Sequence, residues 1–286
     1  MTTGLIMRQF LVYIFILVSV WGINAQNTDT PGNTEQPIAA DIIEKPAVSG
    51  EAGSIALQAQ AEYQEGNYRK AIELLEAEIE AQKENGKVSA QLYYNLGNAY
   101  FRVNEFPEAI LNYERAQLFD PGDRDIRHNI KYANTKIEDK ILTADNFIFQ
   151  IWFDSIQNLL TSNTWGVISI IFFIIFVSSL FLFFFSPRLV LKKAGFYSGI
   201  VMLVLLLFTN VFAIRQKRKI ENRNTAIVMA GSAPVVSSPT SSGSKELFIL
   251  HAGTKVRINK SDGNWYEIEI ADGNVGWIQK ERIEVI

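Results

Sequence analysis

Apolar and polar positions change their spacing several times along the chain, and each change predicts a different kind of element. Residues 10–20 form a short apolar run, and residues 165–185 and 194–214 form two runs of 21 residues without a charge. At about 1.5 Å per residue, a helix of that length spans roughly 31 Å, the thickness of a bilayer core. The two long runs therefore predict two transmembrane helices, at 165–185 and 194–214.

The first apolar run has the features of a secretory signal. The basic residue Arg8 precedes it, and the small residue Ala25 stands before a polar stretch. Residues 1–25 are therefore interpreted as a signal peptide cleaved after Ala25, with an uncleaved N-terminal anchor as the alternative. Residues 26–50 contain three prolines and no aromatic residue. Such a segment cannot bury enough apolar surface to fold, which predicts a disordered linker.

Helical periodicity begins at residue 51 and recurs in two units. The second unit carries, in this order, Tyr93, Leu96, Gly97, Tyr100, Ala109 and Tyr113. Small side chains at Gly97 and Ala109 allow two antiparallel helices to approach, and the larger side chains fill the space around the contact. This unit resembles the tetratricopeptide repeat. The first unit has the same turn and second-helix pattern between Gly66 and Leu75.

A further amphipathic helix follows the second unit. Apolar residues recur at spacings of 4, 3, 4 and 4 residues through Ile126, Ile130, Ala133, Ile137 and Ile141. Because two repeats are few for a stable array, this helix is expected to cap the stack. Residues 51–143 are thus predicted to form an all-α tetratricopeptide solenoid with a capping helix, and residues 144–164 a segment that approaches the membrane.

Basic residues flank both predicted spans and give opposing signals for orientation. The connector at 186–193 is short and basic, whereas 144–164 contains no lysine or arginine. The positive-inside rule therefore places this connector in the cytoplasm. The basic linker at 215–224 favours the cytoplasm as well, but the earliest segments usually dominate orientation. We expect a two-span hairpin with both large domains on the exported side.

The last part of the chain, residues 225–286, has the period-2 spacing of β-strands. Apolar runs are separated by Asp-Gly pairs at 262–263 and 272–273, which are typical of hairpin turns. Gly276 and Trp277 follow near the end. These features resemble the bacterial SH3-like domain, and the resemblance implies an all-β SH3-like barrel over residues 225–286.

Composition excludes several classes of function. The formal net charge is -3, which offers no concentrated basic face for nucleic acid. The chain has no cysteine and two histidines, too few for a usual thiolate or imidazole metal site. Ser242 and Lys245 match the spacing of an acylation motif, but they lie in a serine-rich loop and the companion motifs are absent. We therefore expect no enzyme activity, no cofactor and no metal.

The order of these segments carries a more specific resemblance. A signal, two repeats, a two-span hairpin and a terminal SH3-like domain, with the sequence Asp-Ile-Arg-His-Asn-Ile at 125–130, resemble BatE-type proteins of the bacterial Bat, or aerotolerance, cluster. The resemblance implies an inner-membrane scaffold, with both domains in the periplasm, that assembles with other Bat-type membrane proteins, some carrying von Willebrand A domains, and supports envelope stress tolerance. Besides these protein partners, membrane lipid is an expected contact.

Four residues on the first helix of the second repeat are candidates for partner binding: Tyr94, Asn98, Phe101 and Arg102. By the resemblance, they line the concave groove in which tetratricopeptide arrays hold peptides. Asn98 is suited to hydrogen-bond a peptide backbone and Arg102 to pair with a carboxylate. The alternative is that some of the four pack on the neighbouring helix.

One candidate lies in the C-terminal domain. Strand alternation places Trp265 on the outer face, where a large ring is more often explained by a ligand than by folding. Trp277, beside Val275 and Ile278, is predicted to be a core residue, with both tryptophans in the core as the alternative. If the domain binds peptidoglycan, the protein would attach to or sense the cell wall, which is the alternative function.

Overall fold

Helical hairpins make up the first half of the described chain. The computed structural model describes residues 51–84, 86, 88–140, 148–240 and 243–286. Within the stretch up to residue 140, the helices are α1 (Glu51–Gln64), α2 (Tyr68–Glu84), α3 (Ala90–Arg102), α4 (Phe106–Phe119) and α5 (Arg124–Ala133). The predicted signal peptide and the predicted linker at 26–50 lie outside the described residues.

Side-chain caps and turn residues fix the ends of these helices. The Ser89 hydroxyl accepts a hydrogen bond from a backbone N–H in the first turn of α3. Asp123 accepts two such bonds in the first turn of α5, at 2.7 and 3.1 Å. Between α3 and α4, Asn104 has a φ of 62°, the left-handed conformation that asparagine tolerates. Asn104 thus allows the tight turn between the two helices of the second repeat.

The closest approach of α4 to α3 is at Gly97. A β-carbon added to Gly97 would lie 2.6 Å from Cδ1 of Tyr113 and 3.2 Å from the carbonyl oxygen of Ala109. Both Tyr113 and Ala109 are fully buried. Only glycine therefore fits at this position without displacing the opposite helix, as the repeat pattern predicted.

The capping helix is shorter than its apolar spacing predicted. Helix α5 ends at Ala133, and the chain then turns through Thr135, whose hydroxyl donates to the carbonyl oxygen of Tyr132. Ile137 follows this turn and contacts the C-terminal domain, where a β-carbon on Gly253 would lie 2.4 Å from Ile137 Cγ2. The apolar period through Ile137 thus reflects packing against another domain, while Ile141 lies outside the described residues.

Two helices in the middle of the chain are long and apolar enough to cross a membrane. Helix α6 (Ile148–Gln157) precedes them, and they are α7 (Ser162–Phe185) and α8 (Leu189–Glu221). Only 11% and 17% of the residues in their most apolar windows are buried. In a soluble protein, apolar side chains this exposed would be in contact with water. The two helices therefore do not resemble the core helices of a soluble protein.

Small and polar residues hold α7 and α8 together. A β-carbon on Gly195 would lie 2.7 Å from the carbonyl oxygen of Ser179, so the two backbones nearly touch there. The Ser198 hydroxyl donates to Ser179 at 2.9 Å, and the Asn210 amide donates to the Ser169 hydroxyl at 2.7 Å. Close backbone approach and interhelical hydrogen bonds are the usual means of packing helices in lipid.

The C-terminal strands form an open antiparallel sheet. Its strands are β1 (Thr225–Val228), β2 (Ala233–Val236), β3 (Glu246–Leu250), β4 (Lys255–Asp262), β5 (Trp265–Glu269), β6 (Val275–Gln279) and β7 (Ile283–Val285). Their order is β3-β2-β6-β5-β4-β1-β7, which is consistent with an SH3-like domain. The predicted barrel is not closed. The β7 edge instead faces the repeat helices, and Arg115 of α4 donates to the carbonyl oxygen of Val285 at 2.9 Å.

Strand alternation separates the two tryptophans from the core of this sheet. Ile268 and Ile278 are fully buried on the inner face. Trp277 pairs with Glu267 across the ladder, so it shares the outer face with Trp265 and is only half-buried. The prediction that Trp277 is a core residue is therefore wrong, because it alternates with the buried Ile278.

The repeat helices and the sheet share apolar packing. Ile227 of β1 and Ile286 at the end of the chain are almost completely buried in the same cluster as the repeat core. The two domains therefore lie at one end of the α7–α8 hairpin. Because two spans return the chain to its starting side, this contact agrees with the expectation that both domains lie on the same side of a membrane.

Candidate functional site

A buried polar cluster lies between α3, α4 and α5. The Tyr113 hydroxyl donates to Oδ1 of Asn98 at 2.8 Å. The Asn129 amide donates to the same oxygen at 3.1 Å and to the Tyr94 hydroxyl at 3.2 Å. Burial raises the pKa of Tyr94 to about 12 and that of Tyr113 well above its ordinary value. Both hydroxyls therefore remain protonated at neutral pH and keep their hydrogen bonds.

This cluster changes the accessibility of two predicted binding residues. Tyr94 is 7% exposed and Asn98 is 2% exposed, because Asn129 of the capping helix covers them. The Asn98 amide nitrogen has no hydrogen-bond partner within the described residues. It borders a cavity of about 10 Å³ between α1 and α3, room for about one water molecule. A peptide could reach Asn98 only if α1 and α3 moved apart.

The other two predicted groove residues have different environments. Phe101 contacts the rings of Phe106 and Tyr132, with centroids 5.3 and 5.5 Å away, so it packs between helices. Arg102 is exposed, yet its guanidinium lies 5.2 Å from the Tyr68 ring centroid and 6.0 Å from that of Tyr63. Two aromatic rings thus restrain a cation that solvent and a ligand can reach. Whether these residues bind a partner stays a prediction.

The outer face of the C-terminal sheet combines aromatic rings with charged side chains. Trp265 and Trp277 lie on neighbouring strands of this face, with Glu267 directly opposite Trp277. Lys260 lies 3.2 Å from Glu267, and Val275, also outward-facing, is exposed. A half-exposed aromatic surface next to hydrogen-bonding groups can stack on a ring and bind its polar edges. The expectation that Trp265 is available to a ligand fits this placement, although ligand binding itself stays a prediction.

Two candidate chemistries considered from the sequence are a metal site and an acylation motif. Among the residues that the structure describes, no group of three or more metal-ligating side chains comes together. Ser242 lies outside the described residues, so the Ser242–Lys245 spacing has no structural test. The absence of enzyme activity remains an expectation.

Sequence reasoning missed one cluster of interacting groups. His251 stands just before the turn at Ala252 and Gly253, and its Nδ1 lies 2.7 Å from Oδ1 of Asp139, which follows the repeat helices. The two residues are 112 positions apart in the chain. No local pattern could have paired them, because the contact exists only when the two domains dock.

Two segments of the chain match known domain families. The tetratricopeptide repeat family matches residues 90–123, the unit built by α3 and α4. The bacterial SH3 domain family matches residues 230–284, which covers β2 through most of β7. These matches confirm the two predicted domain types. No curated protein matches the chain. Tetratricopeptide repeats indicate protein–protein interaction, and bacterial SH3 domains suggest cell-wall binding.

Proposed function

We propose that this protein is a non-enzymatic scaffold, anchored in the bacterial inner membrane, whose tetratricopeptide repeats recruit a protein partner on the periplasmic side. The matched repeat supports a protein partner, and the apolar hairpin supports an anchor. The contact between the repeat domain and the C-terminal sheet supports a common side for both.

One observation carries the proposal: the restrained, exposed cation at the end of α3. Arg102 is held against the rings of Tyr68 and Tyr63. A guanidinium fixed in this way loses little conformational entropy when it forms a paired hydrogen bond with a carboxylate. Arg102 therefore binds an acidic side chain or a terminal carboxylate of the partner, at the rim of the groove rather than in its closed centre.

The domain order and its resemblance to BatE-type proteins suggest the class of partner. We infer that the partner is another Bat-type membrane protein, including those with von Willebrand A domains, in an assembly that supports envelope stress tolerance. Anchoring both proteins in one membrane raises their effective concentration, so a modest affinity at Arg102 suffices.

Co-purification of the full chain with a co-expressed Bat-type protein of the von Willebrand A class tests this function. Losing a charge-assisted hydrogen bond costs about 1.5–3 kcal/mol, so Arg102→Ala should weaken recovery about tenfold or more. Arg124→Ala is the matched control, since Arg124 is also an exposed arginine of the repeat domain. Equal recovery with both variants, or no recovery with the unaltered chain, would contradict the proposal.

A second function is favoured by the aromatic outer face of the SH3-like domain. Trp265 and Trp277 lie at diagonal positions on neighbouring strands of this face, next to the Lys260–Glu267 pair. Sugar rings stack on such surfaces while their hydroxyls bond to charged groups. This face is therefore a candidate contact for peptidoglycan, and the protein would then attach to or sense the cell wall.

Sedimentation of the full chain with purified peptidoglycan tests the second function. Trp265→Ala and Trp277→Ala should each remove the protein from the pellet. Trp152→Ala is the matched control, because Trp152 is an exposed tryptophan of α6, away from the sheet. If neither sheet variant reduces sedimentation more than Trp152→Ala does, the outer face is not the contact.

A further inference from the structure

The carboxylate of Asp139 is the main polar contact between the repeat domain and the C-terminal domain. Its Oδ2 accepts hydrogen bonds from the backbone N–H of His251 at 2.8 Å and from the Thr254 hydroxyl at 2.7 Å. Its Oδ1 lies 2.7 Å from Nδ1 of the His251 ring. One side chain of the repeat domain is thus held by three groups of the loop between β3 and β4.

Asp139 lies where the repeats lead into the segment that approaches the membrane. Two residues earlier, Ile137 inserts against the backbone of Gly253 in the same loop. The contact therefore combines the insertion of Ile137 with a charged clamp, which is the pair Asp139 and His251. It fixes the C-terminal domain against the last turn of the repeats. Any change in the charge of this clamp changes how firmly the two domains dock.

Two other ion pairs connect the repeat domain to the C-terminal domain. Lys255 lies 2.5 Å from Glu114, and Arg115 lies 2.8 Å from Glu284. Lysine, arginine and glutamate have ordinary pKa values far from 7. Among the described residues of this interface, His251 is the side chain whose ordinary pKa lies close to neutral pH.

The charged groups that face His251 are both acidic. Asp139 lies at Nδ1, and Glu138 lies on the other side of the ring, with Oε1 3.5 Å from Nε2. The nearest lysine on the following strand, Lys255, is paired with Glu114, and Lys140 donates to the carbonyl oxygen of Thr135. Within the part of the chain that the structure describes, the imidazole therefore faces two carboxylates, which favours the protonated ring.

These contacts raise the pKa of His251 and lower the pKa of Asp139. The hydrogen bond that the His251 ring donates to Asp139 raises the pKa of His251 above its ordinary value of 6.5, more than partial burial lowers it. Burial alone would raise the pKa of Asp139, but the bonds from the His251 backbone, Thr254 and the His251 ring together lower it below 3.8. The charged pair therefore exists over the range that includes pH 3.8 to 6.5. Docking gains stability below pH 6.5 and loses it as the pH rises through the higher pKa of docked His251.

We propose that His251 makes the docking of the C-terminal domain on the repeat domain pH-dependent. The protonated ring binds Asp139 as an ion pair and holds the domains together in mildly acidic surroundings. Loss of the proton leaves a hydrogen bond from a neutral ring to the Asp139 carboxylate in place of the ion pair, and the domain gains freedom to move on its tether. The device responds to protons outside the membrane-spanning segments and does not depend on which partner the repeats bind.

Distance measurements on the full chain in lipid nanodiscs test this device. The chain has no cysteine, so Ala77→Cys and Ala271→Cys, at exposed positions of the two domains, carry a pair of nitroxide labels. Double electron–electron resonance then gives the interdomain distance at about pH 5.5 and about pH 8.5, on either side of the ordinary histidine pKa near 6.5. A single narrow distance at the lower pH should broaden at the higher pH, because the docked fraction falls when His251 loses its proton.

Variants at the clamp decide whether His251 is responsible. His251→Asn keeps a neutral hydrogen-bond donor near the Nδ1 position but cannot titrate, and Asp139→Asn removes the anion, so both should abolish the pH response. His128→Asn is the matched control, since His128 is the other histidine of the chain and is exposed on α5. The proposal is overturned if the unaltered pair shows the same distances at both pH values. It is also overturned if His251→Asn responds to pH as the unaltered chain does.

Discussion

The contact at Gly97 leads to the most direct prediction about the repeat domain. A leucine at this position places its Cβ within 2.6 Å of the Tyr113 ring. The ring cannot swing away, because it is fully buried and its hydroxyl is bonded to Asn98 at 2.8 Å. Relief must come from moving α4 as a whole, so Gly97→Leu belongs at the upper end of the cost of overpacking, about 3 kcal/mol.

Helix propensity offsets part of this cost. Leucine is a better helix former than glycine by about 0.8–1 kcal/mol, which leaves a net loss of about 2 kcal/mol. Hydrogen exchange followed by mass spectrometry measures the local opening of α3 and α4 in the full chain. A net loss of about 2 kcal/mol corresponds to exchange about 30-fold faster in both helices.

The control introduces the same side chain on the surface. Ala77 is exposed on α2, so Ala77→Leu should leave exchange in α3 and α4 within about twofold of the original, as expected for a surface substitution. If Gly97→Leu leaves the protection of α3 and α4 at the level of Ala77→Leu, the contact between Gly97 and Tyr113 does not constrain the repeat, and the reasoning fails.

Three further predictions follow from other contacts. Tyr113→Phe removes one of the two hydrogen bonds that Oδ1 of Asn98 accepts in the repeat core, so the free energy of unfolding measured in denaturant should fall by about 0.5–1.5 kcal/mol. Trp277→Ala should lower the melting temperature of the full chain much less than Ile278→Ala does, because only Ile278 is fully buried. An equal fall in melting temperature for both variants would mean that Trp277 is a core residue. A periplasm-active phosphatase fused after Ile286 should be active and one fused after Lys192 inactive, and the opposite pattern would reverse the orientation of the hairpin.

Local periodicity was sufficient to predict the elements but not their contacts. The helices of the second repeat and the two long apolar helices follow from spacing that is visible in the sequence, because burial on one side or in lipid imposes it. The burial of Asn98 does not follow, since its partner Asn129 lies 31 residues away on the capping helix. Helical spacing does not distinguish a groove residue from a core residue. Only the position of the helix that covers them does.

The misplacement of Trp277 has a different physical origin. Val275, Trp277 and the buried Ile278 are adjacent in one apolar run, and hydrophobicity alone does not say which alternate set faces inwards. The pairing of Ile268 with Gly276 across the sheet resolves it, because it brings Gly276 and Ile278 to the face that packs on Val235. The contact of β7 with the repeats has no local signal either, because Arg115 and Val285 are 170 residues apart in the chain.

Site-specific photo-crosslinking in living cells tests the central claim, recruitment of a membrane partner by the repeats, most directly. A photoreactive phenylalanine derivative replaces Asn95, which is half-buried on α3 about two turns before Arg102, and in a parallel strain it replaces the exposed Ala77 on α2. The account predicts an adduct with a Bat-type membrane protein from position 95 that is absent from position 77 and is lost with Arg102→Ala. Adducts of equal yield from both positions, or an adduct from position 95 that persists with Arg102→Ala, would contradict it.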